Sequence, residues 1–202
     1  MPDKPTSVSA VTLSEGSSGG SPPDQQLVRQ AQRGDRKAFE ELVRRHSRSA
    51  YSIALRITRR HADAEDLAQE ALVRAFKGLD RFRGKASFST WLYRITVNLS
   101  LNHLRRAGRE VTVEDTETWA SEQPQALNGL VKEEQMRLLQ QAVAKLPPKQ
   151  RAVVELRIQQ ELPFKEIAQI IGCSVSTAKV HFFHATQGLK KLMTEQMGET
   201  GC

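Results

Sequence analysis

The sequence predicts an all-α chain, two small helical units joined by a flexible linker. Three observations predict it. From Asp24 onward the apolar residues recur at spacings of three and four, the period of an amphipathic helix and not the alternation of a strand. Between Gly108 and Asn128 that periodicity lapses into an acidic stretch carrying Pro124. Beyond it the helical period returns, broken only by short turns marked with Pro or Gly. A chain of 202 residues has room for one or two small domains. The expected division is a tail over 1–23, a first unit over 24–107, a linker over 108–129 and a second unit over 130–197.

The tail is rich in Ser, Gly, Pro and Thr. It has too few large apolar residues to offset the entropy of ordering, so disorder is expected. Asp24 is expected to cap a helix over Gln25–Arg33 that stops at Gly34. Asp35 then caps a long helix reaching about Thr58, with Phe39, Leu42, Val43, Tyr51, Ile53, Ala54 and Ile57 on its apolar side. Arg44, Arg45, Arg48, Arg56, Arg59 and Arg60 lie along it. They suit a solvated face or a hold on a nucleic-acid backbone.

The stretch Ala62–Arg106 carries the most information. Ala64, Leu67, Ala68, Ala71, Leu72, Ala75, Phe76 and Leu79 form one full apolar stripe of a helix. Asp66, Gln69, Glu70 and Val73 fall opposite, as plain surface or as a docking face. A basic loop with a Gly leads to a second helix, about Ser87–Arg106. There Phe88, Leu92, Ile95 and Leu99 make one stripe, and Arg94, Asn98, Leu101 and Arg105 another. Trp91 lies on the border. An indole can stack on an unpaired base, an Asn amide can pair with an adenine edge, and Arg can hold phosphates. The pattern by itself fits a buried Trp anchor with a basic outer face better than a base reader.

In the second unit a helix is expected over Val131–Leu146, stopped by Pro147. Pro148 opens the next, to about Gln160, and Glu161–Leu162–Pro163 turns the chain. A helix over Phe164–Ile171, a turn at Gly172–Cys173, a cap at Ser174 and a last helix over Val175–Met193 make a helix-turn-helix. Ile167, Ala168, Ile171, Val175, Ala178, Phe182, Ala185 and Leu189 are its expected core. Cys173 is read as packing in the turn. Ser176, Thr177, Val180, Phe183, His184, Gln187 and Lys191 project away from that core. Exposed Val and Phe beside polar groups suit thymine methyls in a major groove, or packing on another chain.

Net charge is +7 and the pI about 9.7, which favours an acidic partner such as nucleic acid. The charge is uneven. Residues 24–107 hold 18 basic against 9 acidic side chains, whereas 108–130 hold 1 against 5. No apolar run is long enough to span a bilayer, and no secretory signal opens the chain. Cys173 and Cys202 show no metal-ligand spacing, so no metal is expected and a reducing, cytoplasmic setting fits. Paired carboxylates, a phosphate-cradling Gly loop and His pairs at working spacing are all lacking, so neither catalysis nor a cofactor is expected.

The runs DLAQEAL and FRGKASFSTWLYRITVNLSLNHLRR closely resemble region 2 of bacterial sigma factors of the extracytoplasmic-function group, and LVRQAQRGDRKAFEELVRRH resembles its start. The stretch LPPKQRAVVELRIQQELPFKEIAQIIGCSVSTAKVHFFHATQGLKKL resembles sigma region 4. Together they cover about Asp24–Lys191. The resemblance implies a transcription initiation factor with core RNA polymerase (the β′ clamp helices and the β flap) and promoter DNA as partners, and an anti-sigma factor besides. It implies polymerase docking through Asp66, Gln69 and Glu70. Reading of the −10 element falls to Phe82, Arg83, Lys85 and Ser89 in the loop, then Trp91, Arg94, Asn98, Arg105 and Arg106. Reading of the −35 element falls to Ser176, Thr177, Lys179, Val180, Phe183 and His184. Two departures stand out. Housekeeping sigma factors carry adjacent aromatics where this chain has Arg94 and Ile95. Many relatives have Arg in place of His181, His184 and Gln187, which implies weaker phosphate attraction here. A stand-alone helix-turn-helix regulator is the alternative; it would grip duplex tightly without polymerase.

Overall fold

The computed structural model describes residues 22–108 and 141–199. The tail and linker expectations fall almost wholly outside these residues, as do residues 131–140 of the helix expected over Val131–Leu146. Every regular element among the described residues is helical. The first unit comprises α1 (Asp24–Gln32), α2 (Arg36–Thr58), α3 (His61–Gly78), a 3-10 turn (Leu79–Arg81) and α4 (Phe88–Arg106). The second comprises a short helical stretch over residues 141–144, α5 (Pro148–Val154), α6 (Phe164–Ile171) and α7 (Val175–Glu199). After α5 the chain widens into a π-helical turn over Glu155–Gln159, within the span expected to be one helix.

Local chemistry sets most of these boundaries. Asp35 caps α2, its Oδ1 accepting from the Lys37 and Ala38 amides. Ser87 caps α4 through the Thr90 amide at 3.0 Å. Ser174 does the same for α7 through Thr177, also at 3.0 Å. Gly172 ends α6 at φ 75°, left-handed backbone that a Cβ would strain. Asp24 departs from expectation. Pro23 occupies the capping position, and Asp24 is the first helical residue. Its carboxylate reaches α2 instead, bonding Arg45 Nη1 at 2.9 Å and His46 Nε2 at 2.6 Å.

The core of the first unit is the seam of α2, α3 and α4. Leu42, Ile53, Ile57, Leu92 and Val97 are fully buried there. The buried face of α3 is mostly alanine, with Ala64, Ala68, Ala71 and Ala75 beside Leu67. Small side chains let neighbouring helices approach closely. Phe76, expected on this stripe, is 54% exposed. It lies about 120° round the helix from Ala64, at the edge of the seam, and leans on the Phe39 ring at 5.0 Å. Val175 is likewise 40% exposed, because as the first residue of α7 it precedes the buried stripe that begins at Ala178.

The two units are in contact, which nothing in the sequence pattern announces. One apolar core runs through both, from Leu42 and Leu92 to Leu156 and Ile167. Around it lies a polar junction. Arg56 Nε meets the fully buried Glu155 at 3.1 Å, and Ser52 Oγ donates to the same carboxylate at 2.6 Å. Arg151, 3% exposed, donates to the carbonyls of Ala144, Leu146 and, across the junction, Ile57. Arg59, left-handed at φ 63°, donates to Ala144 as well. Burial, with Arg59 and Arg56 nearby, pushes the Arg151 guanidinium down to about 10. Arg56 and Arg59 therefore belong to the junction, not to a solvated or backbone-holding face.

Candidate nucleic-acid interface

α4 presents two chemistries because its inner face is wider than the stripe of large apolar residues. Phe88, Leu92, Tyr93, Val97, Leu99 and Leu104 are buried, and so are Thr96 and Ser100. Those hydroxyls donate to carbonyls one turn back, Thr96 to Leu92 at 3.0 Å and Ser100 to Thr96 at 2.9 Å, so neither hydroxyl is stranded. Arg94, Asn98, Arg105 and Arg106 remain on the exposed side, and Ile95 is only half-buried.

Trp91 is both anchored and accessible. Its indole is half-buried, 4.9 Å from the Phe82 ring and 5.9 Å from Phe88. Gly78 makes room for it: a Cβ there would lie 3.3 Å from Trp91 Cζ2. The packing anchor and the base reader were alternatives in the sequence; the geometry leaves room for both.

The loop before α4 is held from beneath. Gln32 Nε2 donates to the carbonyls of Leu79 and Phe82, both at 2.9 Å, tying the end of α1 to the start of the loop. Arg83 and Lys85 are exposed, Gly84 turns the chain at φ 67°, and Ser89 bonds Ser87 at 2.9 Å. Beneath lies a cavity of about 350 Å³ bordered by Gln25, Arg29, Gln32, Phe82, Arg83 and Ser87. Sequence reasoning missed Gln32, since its partners are 47 and 50 residues away and no local spacing marks it.

On the next helix, Asp66, Gln69, Glu70 and Val73 are all exposed, with Glu70 paired to Arg74 at 2.5 Å. Val73 and Phe76, 49% and 54% exposed, give this face an apolar patch. On α7, Ser176, Thr177, Lys179, Val180, Phe183 and His184 all face outward, Val180 at 50% and Phe183 at 58% exposure. His181 is half-buried and faces α4 across a cleft of about 1040 Å³ that Asn98, Leu101 and Arg105 also line. The three groups of residues expected to act together thus lie on three surfaces: α3, the loop with α4, and α7.

A family profile described as Sigma-70 region 2 matches residues 42–110, and one described as Sigma-70, region 4, matches residues 136–189. The RNA polymerase sigma-H factor of Pseudomonas aeruginosa is 33% identical over 188 residues, covering 87% of this chain and 96% of the relative. The ECF RNA polymerase sigma-E factor of Escherichia coli K12 is 34% identical over 176 residues, covering 82% and 92%. The chain belongs to the extracytoplasmic-function sigma factors. As such it binds core RNA polymerase and directs promoter-specific initiation by recognising −10 and −35 elements. Solved structures agree on the fold of this sigma factor. The structure of CnrH with the cytosolic domain of CnrY aligns at a TM-score of 0.65 with 23% identity, covering 85% of this chain and 97% of that one. The sigma factor RpoE of Bartonella quintana, with the anti-sigma factor NepR, aligns at 0.63 with 24% identity, covering 78% and 98%. Among the described residues, no helix of the sigma factor is long and apolar enough to cross a membrane.

Proposed function

We propose a division of the sigma factor's work among these three surfaces. The first unit, residues 24–107, docks and reads the −10 element; the second, residues 130–197, reads the −35 element; residues 108–129 link them. α3 seats on the β′ clamp helices through Asp66, Gln69 and Glu70, and Val73 and Phe76 add apolar contact that the polar trio lacks. The second unit also meets the β flap. α7 enters the −35 major groove with Ser176, Thr177, Val180, Phe183 and His184, while Lys179 meets phosphate.

Reading of the −10 element rests on Asn98, the observation that carries the proposal. Its amide is exposed on α4 between Arg94 and Arg105, on the helix that also holds Trp91. An amide framed by guanidiniums suits a base edge framed by phosphates. Phe82 and Arg83 border the cavity under the loop, whose about 350 Å³ is of the size that takes a small planar ligand, and Lys85 and Ser89 stand in the same loop and at the start of α4. There a base turned out of the stack is captured, and Arg105 and Arg106 hold the strand. Captured bases shift the duplex equilibrium toward opening without any bond being made or broken by the sigma factor. It works in the cytoplasm, as a non-catalytic subunit. An anti-sigma factor is a further partner, by analogy with the complexes of CnrH and of the Bartonella RpoE.

Two substitutions test the division. Asn98→Ala keeps polymerase capture and loses discrimination among −10 variants in run-off transcription. Gln69→Ala weakens capture by core polymerase while both units stay folded. Equal transcript yields from all −10 variants with wild-type and Asn98→Ala chains would overturn the assignment of α4.

A further inference from the structure

The seam between α1 and the reading loop gathers guanidiniums without counter-charges. Gln32 Nε2 donates to the Leu79 and Phe82 carbonyls, both at 2.9 Å, and so lays the end of α1 against the loop before α4. Arg29 stands in the last turn of α1 and Arg33 just past it, while Arg81 and Arg83 flank Phe82. All four are exposed, and Arg29 and Arg83 border the same cavity of about 350 Å³. Other arginines of the first unit are matched: Arg44 and Arg45 by Glu41, Arg60 by Asp63, Arg74 by Glu70. Among the described residues, none of the four at the seam has a carboxylate within ion-pair distance. Arg29 Nε donates to the Gln25 carbonyl of its own helix at 3.3 Å, which neutralises no charge. Asp80, beside Arg81 in the chain, borders a different cavity with Asp35, Arg36 and Lys77. Like charges held together in this way set up a local positive field, which salt screens only beyond about 8–10 Å.

The seam also lies where the path of the DNA strand runs out. Along α4 the strand-holding and reading groups run from Arg105 and Arg106 through Asn98 to Trp91, about 21 Å at ~1.5 Å of rise per residue. The loop and its cavity follow, and the helix that borders the cavity from the other side is α1. We propose that this seam is a phosphate track: Arg29 and Arg33, with Arg81 and Arg83, hold the backbone of single-stranded DNA that continues beyond the captured base. The inference rests on the −10 reading and extends it. A guanidinium suits the task because its planar fork pairs two phosphate oxygens at once. The occupant is a single strand because it leaves a pocket that takes one unpaired base, where the duplex is already parted. α1 reads DQQLVRQAQ and carries no aromatic residue, so the track grips backbone, stacks no base and has no sequence preference of its own. Each phosphate held past the captured base opposes re-annealing, so the track favours the open state without touching a base.

The experiment uses the full chain assembled with core polymerase and two fluorescent forked promoter probes. One ends its single strand just past the captured base; the other continues it for about eight nucleotides, within the usual site size of single-strand binders. Affinity is measured across a series of salt concentrations. The wild type binds the longer probe more tightly and with the steeper salt dependence. The triple variant Arg29→Gln, Arg33→Gln, Arg81→Gln lowers the slope of log K against log salt on the longer probe by about 2, at ~0.7 per lost phosphate contact. On the shorter probe it matches the wild type, and its melting temperature is unchanged because all three side chains are exposed. The charge-keeping variant Arg29→Lys, Arg33→Lys, Arg81→Lys restores most of the slope. Equal slopes for the wild type and the Gln variant on the longer probe overturn the track. An equal loss on both probes also overturns it, since the cations would then add only a general field. Weakened capture of core polymerase by the Gln variant overturns it too, by making the seam a protein contact. The −10 reading is judged separately: if Asn98→Ala kept the wild-type base preference on the shorter probe, that reading would fail, while the extension-dependent slope still decided the seam.

Discussion

Gln32 is the residue through which the first helix governs the reading loop. Its amide donates to two carbonyls, Leu79 and Phe82, at 2.9 Å each, in a partly buried position. Gln32→Ala removes both donors and leaves both acceptors short of a partner. At about 0.5–1.5 kcal/mol for each neutral bond, the loss is about 1–3 kcal/mol. Gln32→Glu is worse at neutral pH, because it turns a donor into a carboxylate facing two carbonyl oxygens. Urea unfolding measures the loss: with a slope of about 1–3 kcal/mol per molar, the midpoint falls by roughly 1 M. Hydrogen exchange locates it, with amides of the 82–87 loop losing protection before those of α2. Transcription completes the argument, since −10 discrimination declines while core capture through α3 is retained. An unchanged urea midpoint together with unchanged loop exchange in Gln32→Ala would refute the view that this amide positions the loop.

Other expectations follow from single features. Gly172→Ala places a Cβ on left-handed backbone with nothing within 4 Å, so the cost is conformational, about 1–2 kcal/mol, read as a lower melting temperature of the second unit. Phe183→Ala, at a 58% exposed position, leaves melting unchanged and weakens use of the −35 element, read with −35 variants in run-off assays. The Arg44 and Arg45 guanidiniums hold the Glu41 carboxyl down at about 2, from 4.5. A depressed acid stabilises the fold above its unfolded value, so this contribution is present above pH about 4.5 and fades toward pH about 2. An acid titration of Glu41→Gln lacks that component, and added salt shrinks it in the wild type, because Glu41 is only half-buried and its partner Arg44 is exposed.

Where the sequence was informative, the signal was local. The caps at Asp35 and Ser174, the turn at Gly172 and the Pro147–Pro148 boundary are each decided within a few residues, and each stands where the pattern put it; Ser87, expected as about the first residue of its helix, is the cap one residue before it. Asp24 is the exception that explains the rule. Its carboxylate had a competing partner in Arg45 and His46, more than 20 residues away. Phe76 failed for a related reason: a stripe drawn on a helical wheel cannot say how closely the next helix approaches, and an alanine seam brings it too close for a ring at the edge. A lone Glu155 inside the apolar run Ala152–Leu156, four residues after Arg151, was a legible hint of a buried partner, but not of which one.

The sequence by itself therefore determined the helices, their order, their caps and the outward faces of α3, α4 and α7, because these depend on periodicity and on neighbours a turn away. It also carried the family, through runs long enough to be matched along most of the chain. Only the tertiary structure decided the long-range contacts: Gln32 beneath the loop and Trp91 against Gly78 within the first unit, and the Arg56–Glu155 and Thr90–Glu166 bonds between the units. Those contacts join residues from 13 to 99 positions apart. Nothing in a local pattern encodes such pairs, because their free energy exists only once the chain has brought them together.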